Sequence, residues 1–175
     1  MLERETKRMN RVMEDLLEFA KPPGLLLGEA SVPALVAETI DTFRAAHDPD
    51  GALALDVQVP ADLPPVRLDA TRMQQVLVNL VHNTQKHAAG MTRVRLSARV
   101  LDPARVELEV ADDGRGIPAA DLPRIFEPFF TTGGTGLGLA ITRRLVEDHG
   151  GTIAVTSSEA GTTFRIVLPV AGPPE

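Results

Sequence analysis

DDGRGIPAADLPRIFEPFFTTGGTGLGL, residues 112–139, is the stretch whose reading decides the fold. It opens with Asp112-x-Gly114-x-Gly116 and closes with Gly134-Thr135-Gly136-Leu137-Gly138-Leu139, which leads into a helix. Alternate glycines let a backbone turn tightly and come close to a ligand, because no Cβ intervenes and positive φ costs little. Backbone N–H groups at the second cluster, followed by the positive end of a helix dipole, make a site for phosphate oxygens. Asp112, at the end of the apolar run Val106–Val110, offers a carboxylate to an exocyclic amine. One glycine cluster alone is most often a loop. Two in order, with Phe126-Glu127-Pro128-Phe129-Phe130 between them, point to a nucleotide. The P-loop signature is absent, and no βαβ opening for a Rossmann fingerprint is present.

Upstream of this stretch, Asp69 caps a long helix, DATRMQQVLVNLVHNTQKHA, with Met73, Val76, Leu77, Leu80 and Val81 as its buried stripe. Asn79, Asn83 and Lys86 recur at helical spacing beside that stripe, a row of two amides and an ammonium suited to a hard cation and a phosphate. Thr92–Leu101 and Arg105–Ala111 alternate as two antiparallel strands joined at Asp102-Pro103, and the second delivers Asp112. Downstream, Gly136–Asp148 predicts a helix stopped by Gly150-Gly151, and Thr152–Ser157 with Thr163–Leu168 predicts a hairpin around Gly161. Towards the N-terminus, Ser31 is an N-cap for a helix running to Ala46, His47–Gly51 is turn chemistry, and Ala52–Val59 and Val66–Leu68 are strands. Met9, Val12, Leu16 and Phe19 trace a coiled-coil seam that ends at Lys21-Pro22-Pro23-Gly24. The order of elements predicts a two-layer α/β sandwich: a mixed, mostly antiparallel sheet with helices on one face.

The chain has 175 residues and is 43% hydrophobic, enough for one good-sized domain with an appendage. A net charge of −6 and the lack of basic runs interleaved with aromatics argue against a nucleic-acid surface. With no cysteine, disulfides and thiolate metal sites are impossible, which agrees with a reducing cytosol. No run approaches the ~20 apolar residues of a membrane span, so the expected location is cytoplasmic, with membrane anchoring of a longer protein left open.

Four blocks in fixed order carry a family resemblance. Asn79–His87 (NLVHNTQKH) resembles the N box, 112–118 (DDGRGIP) the first glycine box, 126–130 (FEPFF) the F box, and 134–141 (GTGLGLAI) the second glycine box of the catalytic ATP-binding domain of two-component sensor histidine kinases. His149-Gly150-Gly151, Gly161–Phe164 and Leu168-Pro169 follow the same pattern. The resemblance covers about residues 31–170 and implies the Bergerat ATP-binding fold, shared with gyrase and MutL. It divides the chain into the end of a second dimerisation helix (1–21), a linker (22–30), the catalytic domain (31–170) and a tail (171–175).

The resemblance implies ATP and Mg²⁺ as ligands. Asn83 would hold the metal and Lys86 would approach the phosphates, with Asn79 and His87 on the same helix. Asp112 would accept from the adenine amine beside Gly114, Gly116 and Ile117, with Thr162 assisting through water. Thr131, Thr132, Gly134, Thr135, Gly136, Leu137, Gly138 and Leu139 would form the lid and the start of the phosphate-facing helix. Hydrolysing relatives carry a Glu general base where this chain has Asn79, so poor hydrolysis is expected. The implied partners are the dimerisation domain that bears the phosphoacceptor histidine, absent from this chain, and a response-regulator receiver domain, with the whole kinase a homodimer. Between Thr132 and Gly134 the chain is shorter than the family pattern. The alternatives are a nucleotide-sensing module without transfer, or an ATPase of the gyrase kind. With no Trp or Tyr, adenine would lie between aliphatic walls.

Overall fold

The computed structural model describes residues 24–87, 90–131 and 135–173, together with Thr6, Met9, Asn10, Met13, Glu14, Leu16, Leu17 and Ala20. These eight are helical, and Met9, Met13 and Leu17 are largely exposed, with Leu16 less so. Val12 and Phe19, the other members of the expected seam, lie outside the described residues. No helix among the described residues is long and apolar enough to cross a membrane.

In chain order the elements are β1 (Gly28–Ala30), α1 (Val32–His47), β2 (Ala54–Gln58), β3 (Val66–Leu68), α2 (Ala70–His87), β4 (Arg93–Asp102), β5 (Arg105–Asp112), a 3₁₀ turn (Leu122–Arg124), α3 (Gly138–Asp148), β6 (Thr152–Ser158) and β7 (Gly161–Pro169). The strands β2-β4-β5-β7-β6 form one sheet in that order, antiparallel except for the β2–β4 pair. This is the expected sandwich. Period-two alternation sends Val106, Leu108 and Val110 of β5, and Phe164, Ile166 and Leu168 of β7, to one face, where they meet Phe43 of α1, Met73, Leu77 and Leu80 of α2, and Ile141 and Val146 of α3. All three helices therefore cover that face.

Among the described residues no helix covers the opposite face, which carries charge pairs. Glu107, buried although it points outward, is held by Arg99 at 2.6 Å and Arg165 at 3.4 Å, and Arg165 also pairs with Glu109 at 2.7 Å. The arginine stems lie over the sheet while their heads stay wet. Asp48 closes α1: it accepts from the backbone of Ala52 at 2.9 Å and pairs with Arg44 at 2.9 Å.

One departure concerns the segment read as linker. Gly28–Ala30 is a strand, paired antiparallel with β3 through Gly28↔Leu68 and Ala30↔Val66. Three residues with a glycine among them carry no alternation of their own; the pairing exists because β3 offers an open edge.

Candidate functional site

Three contacts fix how α2 and α3 lie. At the start of α2, the backbone N–H of Asp69 donates to Nε2 of His149 at 3.0 Å, and His149 sits just beyond the last turn of α3. An amide N–H can only donate, so the imidazole proton is on Nδ1, which faces the Leu145 carbonyl at 2.6 Å. Further along α2, the Asn79 amide donates to Thr142 Oγ1 at 2.7 Å, and a Cβ on Gly138 would come within 3.0 Å of Asn79 Oδ1. The two helices are thus antiparallel, and α3 begins alongside the later turns of α2. Asn83, half-buried, lies one turn beyond Asn79.

The same end of the sheet carries Asp112. The link from His87 to Arg93 at the start of β4 reaches no more than about 22 Å, and Val94 pairs with Asp112. On the core face, each of three adjacent strands ends its apolar row on a polar residue. Val110 gives way to Asp112, Phe164 to Thr162 and Val155 to Ser157, and register sets them side by side as Asp112↔Thr162↔Ser157. The core stops there and a polar floor begins. Asp112 accepts from the Gly114 N–H at 2.9 Å. Burial pushes its carboxyl above the ordinary aspartate value, the backbone N–H groups of Gly114 and Thr162 draw it partly back, and the charge of Asp113 adds to the rise.

Asp113 behaves in the opposite way. It accepts from the Thr92 hydroxyl, from the Thr92 N–H at 2.8 Å and from the Arg93 N–H at 2.9 Å, and these bonds hold its carboxyl down at about 2. It braces the approach to β4; it is not a ligand group.

The glycine loop above the floor is tightly constrained. Gly116 has φ 76°, and a Cβ there would meet the Ser158 carbonyl oxygen at 1.9 Å. Only glycine fits. The next residue, Ile117, donates its N–H to Ser157 Oγ at 2.7 Å, and Ser157 Oγ lies 2.9 Å from Thr162 Oγ1. Ser157 was not among the expected site residues. Its inward place in the β6 alternation was the available signal, masked by how ordinary a serine is near a strand end.

The second glycine box is braced against the F box. Gly136, φ 72°, would carry a Cβ 2.5 Å from the Phe129 carbonyl carbon, and the Phe129 N–H donates to Gly136 O at 2.8 Å. Phe129 itself has φ 68° and is 64% exposed. Its neighbours pack: Phe126 meets Phe164 edge to face, and Arg124 lies over the Phe130 ring. The first turn of α3 has no side-chain cap, whereas Ser31 caps α1 and the Asp69 carboxylate accepts from Arg72 N–H at 3.1 Å to cap α2. Among the described residues the contact to this helix start is a long one, from the Leu137 N–H to Thr135 Oγ1 at 3.4 Å, and N–H groups at a helix start suit an anion.

Of the expected residues, Asp112, Gly114, Gly116, Ile117 and Thr162 gather at the floor and its loop, while Asn79, Gly136 and Gly138 meet at the start of α3. Leu137 is fully buried in the core and Leu139 packs against it. Thr131 and Thr135 flank the segment expected to form the lid. Thr132 and Gly134, the shortened lid between them, and the side chains of Lys86 and His87 lie outside the described residues. His82 stacks on His47 with ring centroids 4.3 Å apart, on the α1 side of α2.

Residues 68–172 match the family described as histidine kinase-, DNA gyrase B-, and HSP90-like ATPase. The sensor histidine kinase ZraS of Escherichia coli (strain K12) is 38% identical over 173 residues, which are 97% of this chain and 37% of that protein. The crystal structure of full-length ShkA in complex with AMPPNP superposes with a TM-score of 0.84 at 31% identity, covering 97% of this chain and 37% of that one. The histidine kinase ThkA, solved in complex with the response regulator protein TrrA, superposes at 0.80 with 27% identity, covering 97% and 49%. This chain therefore spans about a third to a half of these relatives. With a match over more than half its length, the chain belongs to the histidine kinase-, DNA gyrase B- and HSP90-like ATPase family.

Proposed function

We propose that the domain binds Mg·ATP at the Asp112 end of the sandwich and serves as the catalytic part of a sensor histidine kinase. The observation that carries this reading is the desolvated carboxylate of Asp112, set beside Thr162 under the Gly116 turn and at the same end of the fold as the uncapped start of α3. A half-buried carboxylate suits an amine, and the N–H groups of a helix start suit phosphate. When bound, ATP supplies the phosphoryl group and Mg²⁺ neutralises its charge. Asn83 would hold the metal and Lys86 would meet the phosphates. Among the described residues no group of three or more His, Asp or Glu side chains could hold a metal ion. That donor set fits Mg²⁺, which keeps its waters and takes few protein ligands besides nucleotide oxygens.

The acceptor of the phosphoryl group would be a histidine on the dimerisation segment, with a response-regulator receiver domain downstream and a homodimer as the working unit. A neutral imidazole is already nucleophilic, so the chain's task is positioning. Water activation lacks a base here. Asn79 has no titratable proton at neutral pH, and its amide is engaged by Thr142. That disfavours an ATPase role.

Titration with an ATP analogue and Mg²⁺ tests the site. Saturable binding that Asp112→Ala abolishes, and whose Mg²⁺ dependence Asn83→Ala removes, is the expected result. Unchanged affinity in both variants would refute the assignment. Transfer is then read by adding a kinase-dead full-length partner that carries the phosphoacceptor. Acid-labile label on its histidine supports the kinase, tight binding without label supports a sensing module, and steady phosphate release supports an ATPase.

A further inference from the structure

Ser157 closes the polar floor on the β6 side, next to Thr162, and counting protons on its hydroxyl settles the polarity of that neighbour. A serine oxygen has one hydrogen and two lone pairs. The Ile117 N–H, 2.7 Å away, takes one lone pair. The Gly161 carbonyl, 3.2 Å away, can only accept, so it receives the serine hydrogen. Thr162 Oγ1, 2.9 Å away, must then donate into the remaining lone pair. No other assignment satisfies all three contacts. The hydrogen of Thr162 is thus engaged, and its lone pairs are what it can offer beside the Asp112 carboxylate. Two acceptors side by side suit an exocyclic amine and repel a carbonyl.

We infer that Ser157 is a positioning residue for purine selection: it anchors the Gly116–Ile117 turn and locks the Thr162 hydroxyl so that the floor accepts a 6-amino purine over a 6-oxo purine. The inference rests on the nucleotide site proposed above for the selection, and on the chain's own hydrogen bonds for the anchoring. Ser157 faces inward with Ile153 and Val155, so its side chain is held by packing as well. Gly116, next to its partner Ile117, leaves no slack, since any Cβ there would meet the Ser158 carbonyl oxygen.

The experiment compares wild type, Ser157→Ala and Ser157→Thr. Amide hydrogen exchange of nucleotide-free protein reads the anchor, and competitive titration with ADP and IDP, which differ in the 6-substituent of the base, reads selection. In Ser157→Ala the Ile117 amide should exchange about ten-fold faster while the Val110 amide keeps its rate. ADP should bind about ten-fold more weakly and IDP within about two-fold of wild type, because the freed Thr162 hydroxyl can turn to donate. Ser157→Thr keeps the hydroxyl and should restore both readouts to within about three-fold. If Ser157→Ala fails to fold, Ser157→Cys, close in size and weak in both hydrogen-bonding roles, is read the same way. An unchanged Ile117 amide, equal weakening of ADP and IDP, or failure of threonine to rescue would overturn the assignment. A wild type that binds neither nucleotide would sink the nucleotide reading and the selection with it, while the Ile117 amide would still decide whether Ser157 anchors the turn.

Discussion

Helices α2 and α3 pack against each other, yet their N-termini are built in opposite ways. The start of α2 is closed: Asp69 caps the Arg72 N–H, receives the Leu26 N–H at 2.9 Å, and gives its own N–H to the buried His149. Both the carboxylate and the N–H of Asp69 thus have partners within the chain. The start of α3 is open: a glycine at its first position, Leu137 in place of a capping side chain, and a neighbouring loop whose glycines are spaced for close approach. Polar groups satisfied internally hold a fold together, whereas polar groups left short of partners raise its energy until a ligand arrives. That contrast separates the structural end of the sandwich from the end proposed to bind nucleotide.

The largest effect should come from opening the closed end. His149→Ala removes a 1%-exposed side chain, strands the Asp69 N–H and leaves the Leu145 carbonyl with only the residue-149 backbone N–H at 3.2 Å. A loss of about 3 kcal/mol is expected, combining a cavity with unsatisfied groups, and seen as a melting temperature lower by roughly 6–12 °C. Nucleotide affinity measured well below that temperature should stay within about two-fold. A variant that melts like wild type but loses nucleotide would invert the comparison.

Next is the open end. Asp112→Asn should weaken ADP by roughly 30-fold, about 2 kcal/mol for a charged hydrogen bond. Because the folded carboxyl of Asp112 is raised, the folded state favours its protonated form, and the charge costs stability at neutral pH. Asp112→Asn should therefore melt at or above the wild-type temperature, by calorimetry. In wild type, ADP affinity should fall as pH drops towards the raised value, before an exposed aspartate would titrate.

Where the two helices meet, Thr142→Val takes away the acceptor of the Asn79 amide. About 1 kcal/mol of stability should be lost in urea denaturation, with the slope unchanged. The smallest effect belongs to Asp113. Its folded pKa of about 2 lies below the ordinary aspartate value, so its contribution is complete above about pH 4 and is lost as pH falls through 2. Asp113→Asn should flatten the acid limb of the stability curve in that window and leave neutral pH nearly untouched. An acid limb identical to wild type would show that the Thr92 brace carries nothing.

Much of the site could be read from local sequence. Asp112, Gly116 and Gly138 stand where their motifs led one to expect, because close backbone approach demands glycine and a strand end demands a residue that tolerates the rim. Asn79 was legible as a residue of the helix face but not as a donor to Thr142, 63 residues away. Ser157 gave no such signal, since its role depends on being level with Thr162 and under Ile117 at once.

Sequence alone determined the elements and their kinds: alternation of apolar residues made β4 to β7, helical spacing made α1 to α3, and Ser31 and Asp69 marked two helix starts. These are local properties, fixed by side-chain periodicity and backbone sterics. Only the tertiary structure decided the parallel β2–β4 pair, the capture of Gly28–Ala30 by β3, the bond from Asp69 to His149 across 80 residues, and the proton order at Ser157. Each of these needs two distant segments held at hydrogen-bond distance. No local pattern records which distant partner will be there once the core has closed.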